Sequence, residues 1–310
     1  MAVFRPLANT IMELDSSRLR FMPHPLFPTD MDEVFVMEGG EALVYQVQDV
    51  ETGALGALKV VKPSYRGDHI ARSVAALAPY AALPGLYLGN RICLTRGEHS
   101  QLVAAYPDLE YAILMPWISG RSWSGFLCDR GAATSYGVRQ ALDLALTTAQ
   151  ALWNLEAHHL AHTDIAGTNL VFAADYGHVE LLDIENLYAP DAPVPRYWSN
   201  GTPGYQHRNP RAYGNWCAEG DRFAAAILLA EMLAWCDPLV RAQTPDGAES
   251  LFRPDELQEL DVSRWQAVRD AIWAVCPPAL ALFDQAWASR DLAECPEIGA
   301  WALALLEARG

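Results

Sequence analysis

One short polar loop places oxygen-bearing side chains close together. It begins at residue 162 with the sequence His-Thr-Asp-Ile-Ala-Gly-Thr-Asn, so Asp164 and Asn169 are five residues apart and one loop can direct both. Two apolar segments, residues 170–172 and 179–182, follow it and predict a pair of short antiparallel strands. The hairpin returns the chain to the loop and brings Asp183 beside it. The chain is therefore expected to fold around a loop and hairpin that collect two carboxylates and one amide.

Composition limits the class of protein. The chain has 310 residues, of which 51% are hydrophobic and 19% are charged, so it is globular and long enough for one large domain or two lobes. Its formal net charge of −16 argues against nucleic acid or an anionic membrane as the main partner. A nucleotide is still compatible with this charge, because a local basic group can hold phosphates in an acidic protein.

Cysteine spacing and the N-terminal sequence bear on the compartment. The six cysteines are scattered and form no C-x-x-C pair, which predicts free thiols in a reducing compartment. The N-terminal sequence lacks a basic start followed by a long apolar run, so no signal peptide is expected. Both features favour a cytoplasmic protein.

The loop and its hairpin resemble the catalytic segment of protein kinases. The pattern H-x-D-x-x-x-x-N, then a strand, then D-x-x is similar to the kinase sequence H-R-D-x-x-x-x-N followed by D-F-G. In kinases one carboxylate faces the attacking hydroxyl, and an amide and a second carboxylate hold Mg²⁺ on the phosphates of ATP. The resemblance implies these roles for Asp164, Asn169 and Asp183, in that order.

A glycine pair near the start of the chain resembles the kinase loop that covers the phosphates. In the run from residue 37 to 45, Gly39 matches the second glycine of G-x-G-x-x-G-x-V, Gly40 follows it, and Val44 matches the valine. Positions without a side chain let backbone N–H groups approach phosphates. A plain β-turn with no ligand is the alternative interpretation.

A lysine inside an apolar strand extends the resemblance. Lys59 lies fifteen residues after Val44, which is similar to the spacing of the kinase V-A-I-K lysine that contacts phosphates. The alternative is an edge residue that points to solvent. If the resemblance holds, Val44 and Ala57 cover one side of the adenine and Val171 covers the other.

The segment after the next strand resembles the kinase connection between lobes, which hydrogen-bonds adenine through its backbone. It places Met115, Trp117 and Ile118 at the nucleotide, with the backbone groups of Trp117 and Ile118 as hydrogen-bonding partners. A Pro-Trp-x-x-Gly turn without a ligand is the alternative.

Two further segments fit the kinase order. The sequence Gly-Thr-Pro-Gly-Tyr at residues 201–205 resembles the G-T-x-x-Y segment that supports a peptide substrate, and it implies a hydrogen bond from Thr202 to Asp164. Asp221 begins an apolar helix and resembles the acid that braces the backbone of the catalytic loop. A helix N-cap is the competing role for Asp221, and the two roles are compatible.

Several positions depart from the family pattern. The predicted helix over residues 68–83 has Val74 near the position of the glutamate that pairs with the lysine, and Glu185 stands where D-F-G has glycine. Ala166 replaces the lysine of Ser/Thr kinases, and Thr163 replaces the arginine that pairs with a phosphorylated loop.

The neutral Thr163 leads to a prediction about the loop that follows Asp183. With no cation before Asp164, we expect that loop to be ordered by packing of its aromatic residues and not by phosphorylation. The aromatic residues concerned are Tyr197, Trp198 and Tyr205.

Taken together, the motifs resemble an atypical member of the bacterial Hanks-type Ser/Thr protein kinases. The resemblance implies an α+β, two-lobed kinase-like fold with a small antiparallel β-rich N-lobe over residues 34–116 and a mainly helical C-lobe over 117–310. Prolines in residues 1–33 predict an irregular arm.

The implied function is ATP- and Mg²⁺-dependent phosphoryl transfer to Ser or Thr of a protein substrate, with a cognate phosphatase as a further partner. A pseudokinase that binds nucleotide without transfer is the first alternative. A small-molecule kinase of the aminoglycoside or choline type is the second, and the peptide-supporting segment at residues 201–205 argues against it.

Overall fold

The computed structural model describes residues 4–27, 32–129, 135–192, 194–195, 198–258 and 263–310. The protein is of the α+β class, with an antiparallel sheet and many helices. Two compact units are present: the first comprises Met1–Ala82 and Tyr87–Ile118, and the second comprises Leu83–Leu86 and Ser119–Gly310.

The first unit is built on an antiparallel sheet whose strands, within the described residues, follow the order β1-β2-β4-β5-β7-β6, with β3 also paired to β4. The strands are β1 Ile11–Leu14, β2 Ser17–Phe21, β3 Val36–Glu38, β4 Ala42–Asp49, β5 Leu55–Val61, β6 Ile92–Cys93 and β7 Ile113–Pro116. The α-helices are α1 Asp68–Leu77 and α2 Ser100–Ala105, and short 3-10 turns are Pro63–Tyr65, Ala78–Tyr80, Tyr87–Gly89 and Pro107–Leu109.

The two faces of this sheet carry different residues because side chains alternate along each strand. On one face Tyr45, Val47 and Leu58 are almost completely buried in the main apolar cluster of the unit, together with Phe4 and Phe21. The opposite face carries a smaller apolar cluster where α1 packs on β5 and β7. One face thus carries the main core of the unit, and the other carries the smaller cluster with α1.

The prediction of an irregular arm over residues 1–33 is wrong for residues 11–21, which form the hairpin β1–β2. Strand β2 pairs with β4, so the hairpin belongs to the sheet. Asp15 turns the chain between the two strands and has a left-handed backbone with a φ of 49°. The prolines lie on either side of the hairpin and not inside it, so they do not prevent strand pairing.

The second unit contains a three-stranded sheet with the order β10-β9-β8 in its described residues. Its strands are β8 Arg121–Ser122, β9 Leu170–Phe172 and β10 Val179–Leu181. Its α-helices are α3 Trp123–Cys128, α4 Val138–Ala157, α5 Arg222–Ala234, α6 Pro238–Gln243, α7 Ser263–Val275, α8 Pro277–Ala288 and α9 Ile298–Arg309, and 3-10 turns are Ile184–Asn186 and Glu256–Gln258.

Helix α5 lies at the centre of the second unit. Every residue from Phe223 to Ala234 is buried, and the sequence is apolar except for Glu231. A helix that is hydrophobic on all sides is expected to be enclosed by other elements, and α4, α7 and α8 pack against it. None of the helices in the described ranges has the length and apolar character needed to cross a membrane.

Candidate functional site

The first unit places the expected nucleotide-binding side chains on one face of its sheet. Val44 on β4 lies directly opposite Lys59 on β5, and Ala57 on β5 lies opposite Met115 on β7. Opposite residues share a face, and Lys59 and Ala57, two apart on one strand, share it too. These four residues, which are spread over positions 44 to 115 of the sequence, therefore lie on one face of the sheet. We call them the sheet-face cluster.

Packing does not require glycine in the turn between β3 and β4, because a side chain would fit at either position. A Cβ built on Gly40 would meet nothing within 4 Å, and one built on Gly39 would meet only the Ala42 carbonyl at 3.7 Å. The Gly39 N–H donates to the Ala42 carbonyl at 2.9 Å, and its own carbonyl accepts from Lys62 Nζ at 2.8 Å. A turn that is free of side chains on its open side is suited to a close approach by a ligand.

Lys59 and Lys62 are the two lysines of the chain. Lys62 forms an ion pair with Glu38 at 3.0 Å beside the glycine turn. Lys59 lies three residues earlier, on β5, and is partly buried in the sheet-face cluster. The two lysines thus have different environments: Lys59 lies within β5, and Lys62 follows β5 and is paired with Glu38.

The segment after β7 corrects one expectation. The Trp117 N–H donates to the Leu55 carbonyl at 3.2 Å, so this donor, which the sequence assigned to adenine, is already engaged within the sheet edge. The Trp117 ring packs against Phe35 with ring centroids 5.5 Å apart. Ile118 is partly buried and is the last residue of the first unit.

In helix α1, Val74 lies near the position at which the kinase pattern has a glutamate. Val74 is buried in the small apolar cluster with Ile70 and Ile113, so its position serves packing. The acid of this helix, Asp68, is its first residue and accepts a short hydrogen bond from the Tyr111 hydroxyl. That contact raises the pKa of Tyr111 and ties α1 to the turn before β7.

In the second unit, the loop at residues 162–169 is held at its start by a buried carboxylate. Asp221 accepts hydrogen bonds from the backbone N–H groups of His162 at 2.6 Å and Thr163 at 2.8 Å. The predicted bracing of the loop by Asp221 is confirmed. Asp221 precedes α5 but makes no side-chain hydrogen bond to its first turn, so the N-cap bond is not formed. Burial raises the pKa of Asp221, although the two N–H donors act against this.

The His162 side chain connects the loop to the hairpin. Its Nε2 lies 2.6 Å from the Leu182 carbonyl, and its Nδ1 lies 3.3 Å from the Asp164 N–H. A carbonyl accepts and an N–H donates, so the ring carries its proton on Nε2 and accepts at Nδ1. This buried ring orients the backbone on which the Asp164 side chain stands.

Asp164, Asn169 and Thr202 lie close together, as the sequence predicted. The Thr202 hydroxyl donates to Asp164 Oδ1 at 2.9 Å, which confirms the predicted bond. Asn169 Nδ2 donates to the Asp164 carbonyl at 2.9 Å, so its side-chain oxygen is the atom that can act as a ligand. We call these three residues the loop cluster.

Asp183 follows the hairpin strand β10 and lies next to the loop cluster in the chain fold. The Leu182 N–H donates to the Asn169 carbonyl at 2.8 Å, so the residue after Leu182 is beside the end of the loop. Asp183 is exposed and has a left-handed backbone with φ of 53°. Val171, in the middle of β9, is 8% exposed and pairs with both neighbouring strands.

The donor types of Asn169 and Asp183 suit Mg²⁺, which prefers oxygen ligands. Within the described ranges, no group of three or more His, Cys, Asp or Glu residues is arranged to hold a metal ion by itself. Mg²⁺ at nucleotide sites typically takes one or two protein ligands and completes its shell with water and phosphate oxygens. An amide oxygen and one carboxylate therefore fit a metal that arrives with a nucleotide.

Glu231 lies behind the loop cluster and was not identified as a site residue from the sequence. Its carboxylate accepts from Leu251 N at 2.6 Å, Tyr205 Oη at 2.8 Å and Trp123 Nε1 at 2.9 Å. Complete burial raises its pKa to about 7. A single acid in an otherwise apolar helix is a signal of a buried, paired carboxylate, and this signal was visible in the sequence.

The aromatic residues expected to order the loop after Asp183 have different surroundings. Tyr205 is 1% exposed and bonded to Glu231, whereas Trp198 is 42% exposed and packs edge-on against Tyr213 at 5.4 Å. Tyr197 lies outside the described residues. The Thr163 hydroxyl donates to the Asn186 carbonyl at 3.1 Å, so this position joins the loop to the turn after Asp183 without a charge.

Comparison with known proteins adds no assignment to this geometry. The sequence matches no protein-family model, and it has no significant match among curated proteins.

Proposed function

We propose that this chain is an ATP- and Mg²⁺-dependent phosphotransferase with a two-lobed, protein-kinase-like fold that transfers phosphate to Ser or Thr of a protein substrate. The observation that carries the proposal is the Asp164 carboxylate, which accepts the Thr202 hydroxyl at 2.9 Å while Asn169 is anchored to the Asp164 carbonyl. An ionised carboxylate has about four acceptor positions. Asp164 can therefore keep the Thr202 bond and still accept a substrate hydroxyl.

The loop cluster supports transfer by positioning. Phosphoryl transfer needs little covalent chemistry from the protein, and most of the rate comes from orientation and charge neutralisation. Asp164 orients the attacking hydroxyl and accepts its proton at a carboxylate oxygen. Its position is fixed through His162 and Asp221, both of which are buried and hydrogen-bonded.

The sheet-face cluster supports a nucleotide as the donor. Val44, Ala57 and Met115 offer an apolar surface for a base, and Lys59 on the same face offers a cation for phosphates. The glycine turn at Gly39 and Gly40 has no side chains on its open side, so phosphates can approach its backbone closely. These are the three kinds of contact that a purine nucleoside triphosphate requires.

Asn169 and Asp183 are the residues that would hold Mg²⁺. When bound, the ion neutralises phosphate charge and orients the transferred group. The chain's own contribution is to present one amide oxygen and one carboxylate from adjoining ends of the loop and hairpin.

The direct experiment is incubation of the chain with γ-labelled ATP, Mg²⁺ and a generic protein acceptor. We expect label on Ser or Thr of the acceptor, and no label when EDTA removes the metal. Label on an aminoglycoside or choline, with none on protein, would contradict a protein substrate. No Mg²⁺-dependent binding of ATP and no transfer would contradict the whole proposal.

A nucleotide-binding protein without transfer activity is the second candidate, and helix α1 favours it. Val74 replaces the glutamate that pairs with the lysine in active kinases, and Asp68 is engaged by Tyr111. Mg²⁺-dependent ATP binding at equilibrium, with no transfer after prolonged incubation, would identify this function.

A further inference from the structure

A buried asparagine joins the candidate catalytic loop to the segment that carries Thr202. Asn215 is 7% exposed and lies in the turn before α5. Its Nδ2 donates to the Thr163 carbonyl at 3.2 Å, and its backbone N–H donates to the Ser199 carbonyl at 2.8 Å. One residue therefore contacts the position before Asp164 and the segment three residues before Thr202.

The surrounding turn is shaped to bring these groups together. Gly214 has a φ of 56°, and a Cβ there would lie 2.2 Å from the Ser199 carbonyl oxygen, so the close approach requires glycine. On the other side, a Cβ on Gly201 would lie 3.1 Å from Asn215 Nδ2. The asparagine amide is thus packed between the Ser199 segment and the loop at Thr163.

The chemistry of the contact requires an amide. The Thr163 carbonyl can only accept, so the side chain that faces it must donate, and a neutral N–H avoids leaving a charge in a buried position. The Thr163 N–H and hydroxyl are directed to Asp221 and to the Asn186 carbonyl. Asn215 completes the set of hydrogen bonds around Thr163 at its remaining backbone group.

We propose that Asn215 is a positioning residue that holds the Thr202 segment against the catalytic loop, so that the Thr202 hydroxyl meets Asp164 without a phosphate on the chain. The inference rests on the proposed function for its effect on transfer, and on the hydrogen bonds alone for its effect on the segment. Order in this segment is then built into the fold and does not depend on a modification at Ser199.

The test compares Asn215→Ala with a matched variant, Asn209→Ala. Asn209 Nδ2 also donates to a backbone carbonyl, that of Arg290 at 2.9 Å, but on an exposed part of the unit. Amide hydrogen exchange is followed in the peptide that covers Gly201 to Tyr205. We expect exchange there to rise about five- to tenfold in Asn215→Ala only, which corresponds to the loss of one neutral hydrogen bond. Unchanged exchange would overturn the proposal whatever the activity.

The activity readout separates positioning from folding. We expect kcat for transfer to fall about five- to tenfold in Asn215→Ala with KM for ATP unchanged, and phosphatase-treated wild type to keep its full rate. Faster exchange with an unchanged kcat, an equal loss in Asn209→Ala, or a rate that depends on Ser199 phosphorylation would each overturn the positioning role. If the wild-type chain transfers no phosphate, the proposed function fails, and the exchange measurement still decides whether Asn215 holds the segment.

The isosteric Asn215→Asp variant tests whether faster exchange in Asn215→Ala comes from the loss of side-chain volume or from the loss of the amide donor. It keeps the shape and the backbone contact but places an acceptor opposite the Thr163 carbonyl. We expect exchange in the Gly201 to Tyr205 peptide to rise at least as much as in the alanine variant. Wild-type exchange in Asn215→Asp would show that packing, and not the amide donor, holds the segment, and would overturn the proposal.

Discussion

Individual residues in and beside the two clusters differ in how much the surrounding fold depends on them. Asp221 and His162 are buried and bonded on several sides, so changes there combine loss of geometry with loss of stability. Asp183 is exposed, and Lys59 is partly exposed, so their replacement is expected to affect ligands more than folding. The most informative single substitutions therefore lie at Asp183 and Lys59.

Asp183→Ala should greatly reduce Mg²⁺-dependent transfer while the protein stays folded. Losing one charge contact to the transition state typically lowers the rate ~10²–10³-fold. The rate is measured over a range of Mg²⁺ concentrations, with Asp191→Ala, an exposed acid on the same loop, as the matched control. Transfer at the wild-type rate in Asp183→Ala would show that this carboxylate does not hold the metal.

Lys59→Met should lower transfer on the order of 10²-fold with little change in thermal stability, because methionine keeps much of the length and removes the charge. The presence of only two lysines allows a chemical test as well. An acyl-phosphate derivative of ATP acylates amines beside bound phosphates, and mass spectrometry locates the product.

We expect this reagent to acylate Lys59, and excess ATP to protect it. Labelling of Lys62 alone, or labelling of Lys59 that ATP does not reduce, would contradict its role at the phosphates. A collapse of thermal stability in Lys59→Met with ATP affinity intact would show instead that the lysine is structural.

At the scale of elements, the strands around the glycine turn and the hairpin after the loop were predictable from their apolar runs. The hairpin β1–β2 was missed, although Met12 and Leu14 alternate with exposed residues as a half-buried strand requires. Prolines on either side of the hairpin predict irregular structure and obscure this alternation in the sequence. Prolines beside a strand do not remove its ladder hydrogen bonds.

Helix α1 shows a second limit on prediction. The helix expected over residues 68–83 ends at Leu77, and a 3-10 turn over Ala78–Tyr80 follows. Pro79 lacks an N–H and constrains the residue before it, so the regular helix stops there. Of the candidate site, the contacts of Thr202 and Asp221 were predicted, because they follow a motif. Asn215 could not be, since only tertiary packing places its amide at Thr163.

Helix α5 carries a prediction about pH through Glu231. Burial raises its pKa to about 7 from an ordinary 4.5, so the folded chain holds this proton more tightly than the unfolded chain. The stability that this group contributes is therefore fully present below pH 4.5 and is lost as the pH rises through 7. The shift corresponds to about 3 kcal/mol in the free energy of unfolding.

Glu231→Gln removes this titration and also turns an NH₂ group toward one side of a site that is lined by hydrogen-bond donors, which costs about 1–3 kcal/mol. Urea unfolding at several pH values should show the stability of wild type, relative to this variant, falling between pH 4.5 and 8. Glu307→Gln, an exposed residue on α9, serves as the control. A difference between wild type and Glu231→Gln that is flat across this range would contradict the buried titration.

At the scale of the whole molecule, the cysteines report on packing in both units. All six are free thiols. Burial raises the pKa of Cys93 in the first unit to about 12 and that of Cys295 in the second to about 11, whereas Cys128 is exposed. The thiolate is the reactive form, so both buried groups are expected to be inert.

Alkylation of the native chain at pH 8 should modify Cys128 quickly and leave Cys93 and Cys295 unmodified until urea unfolds the protein. Mass spectrometry of each cysteine peptide gives the rates, with the urea-unfolded chain as the control in which all six react. Native Cys295 reacting as fast as Cys128 would contradict the packing of the second unit, and the same result at Cys93 would contradict that of the first.

In the proposed function, Asp164 is the group that orients and deprotonates the attacking hydroxyl. Asp164→Asn keeps the size of the side chain and an oxygen that can accept from Thr202, but it removes the charge. The decisive measurement is single-turnover transfer from γ-labelled ATP, with ATP affinity determined on the same samples. We predict that transfer falls about 10²–10⁴-fold while ATP affinity is unchanged. Transfer at the wild-type rate in Asp164→Asn would contradict this role of Asp164.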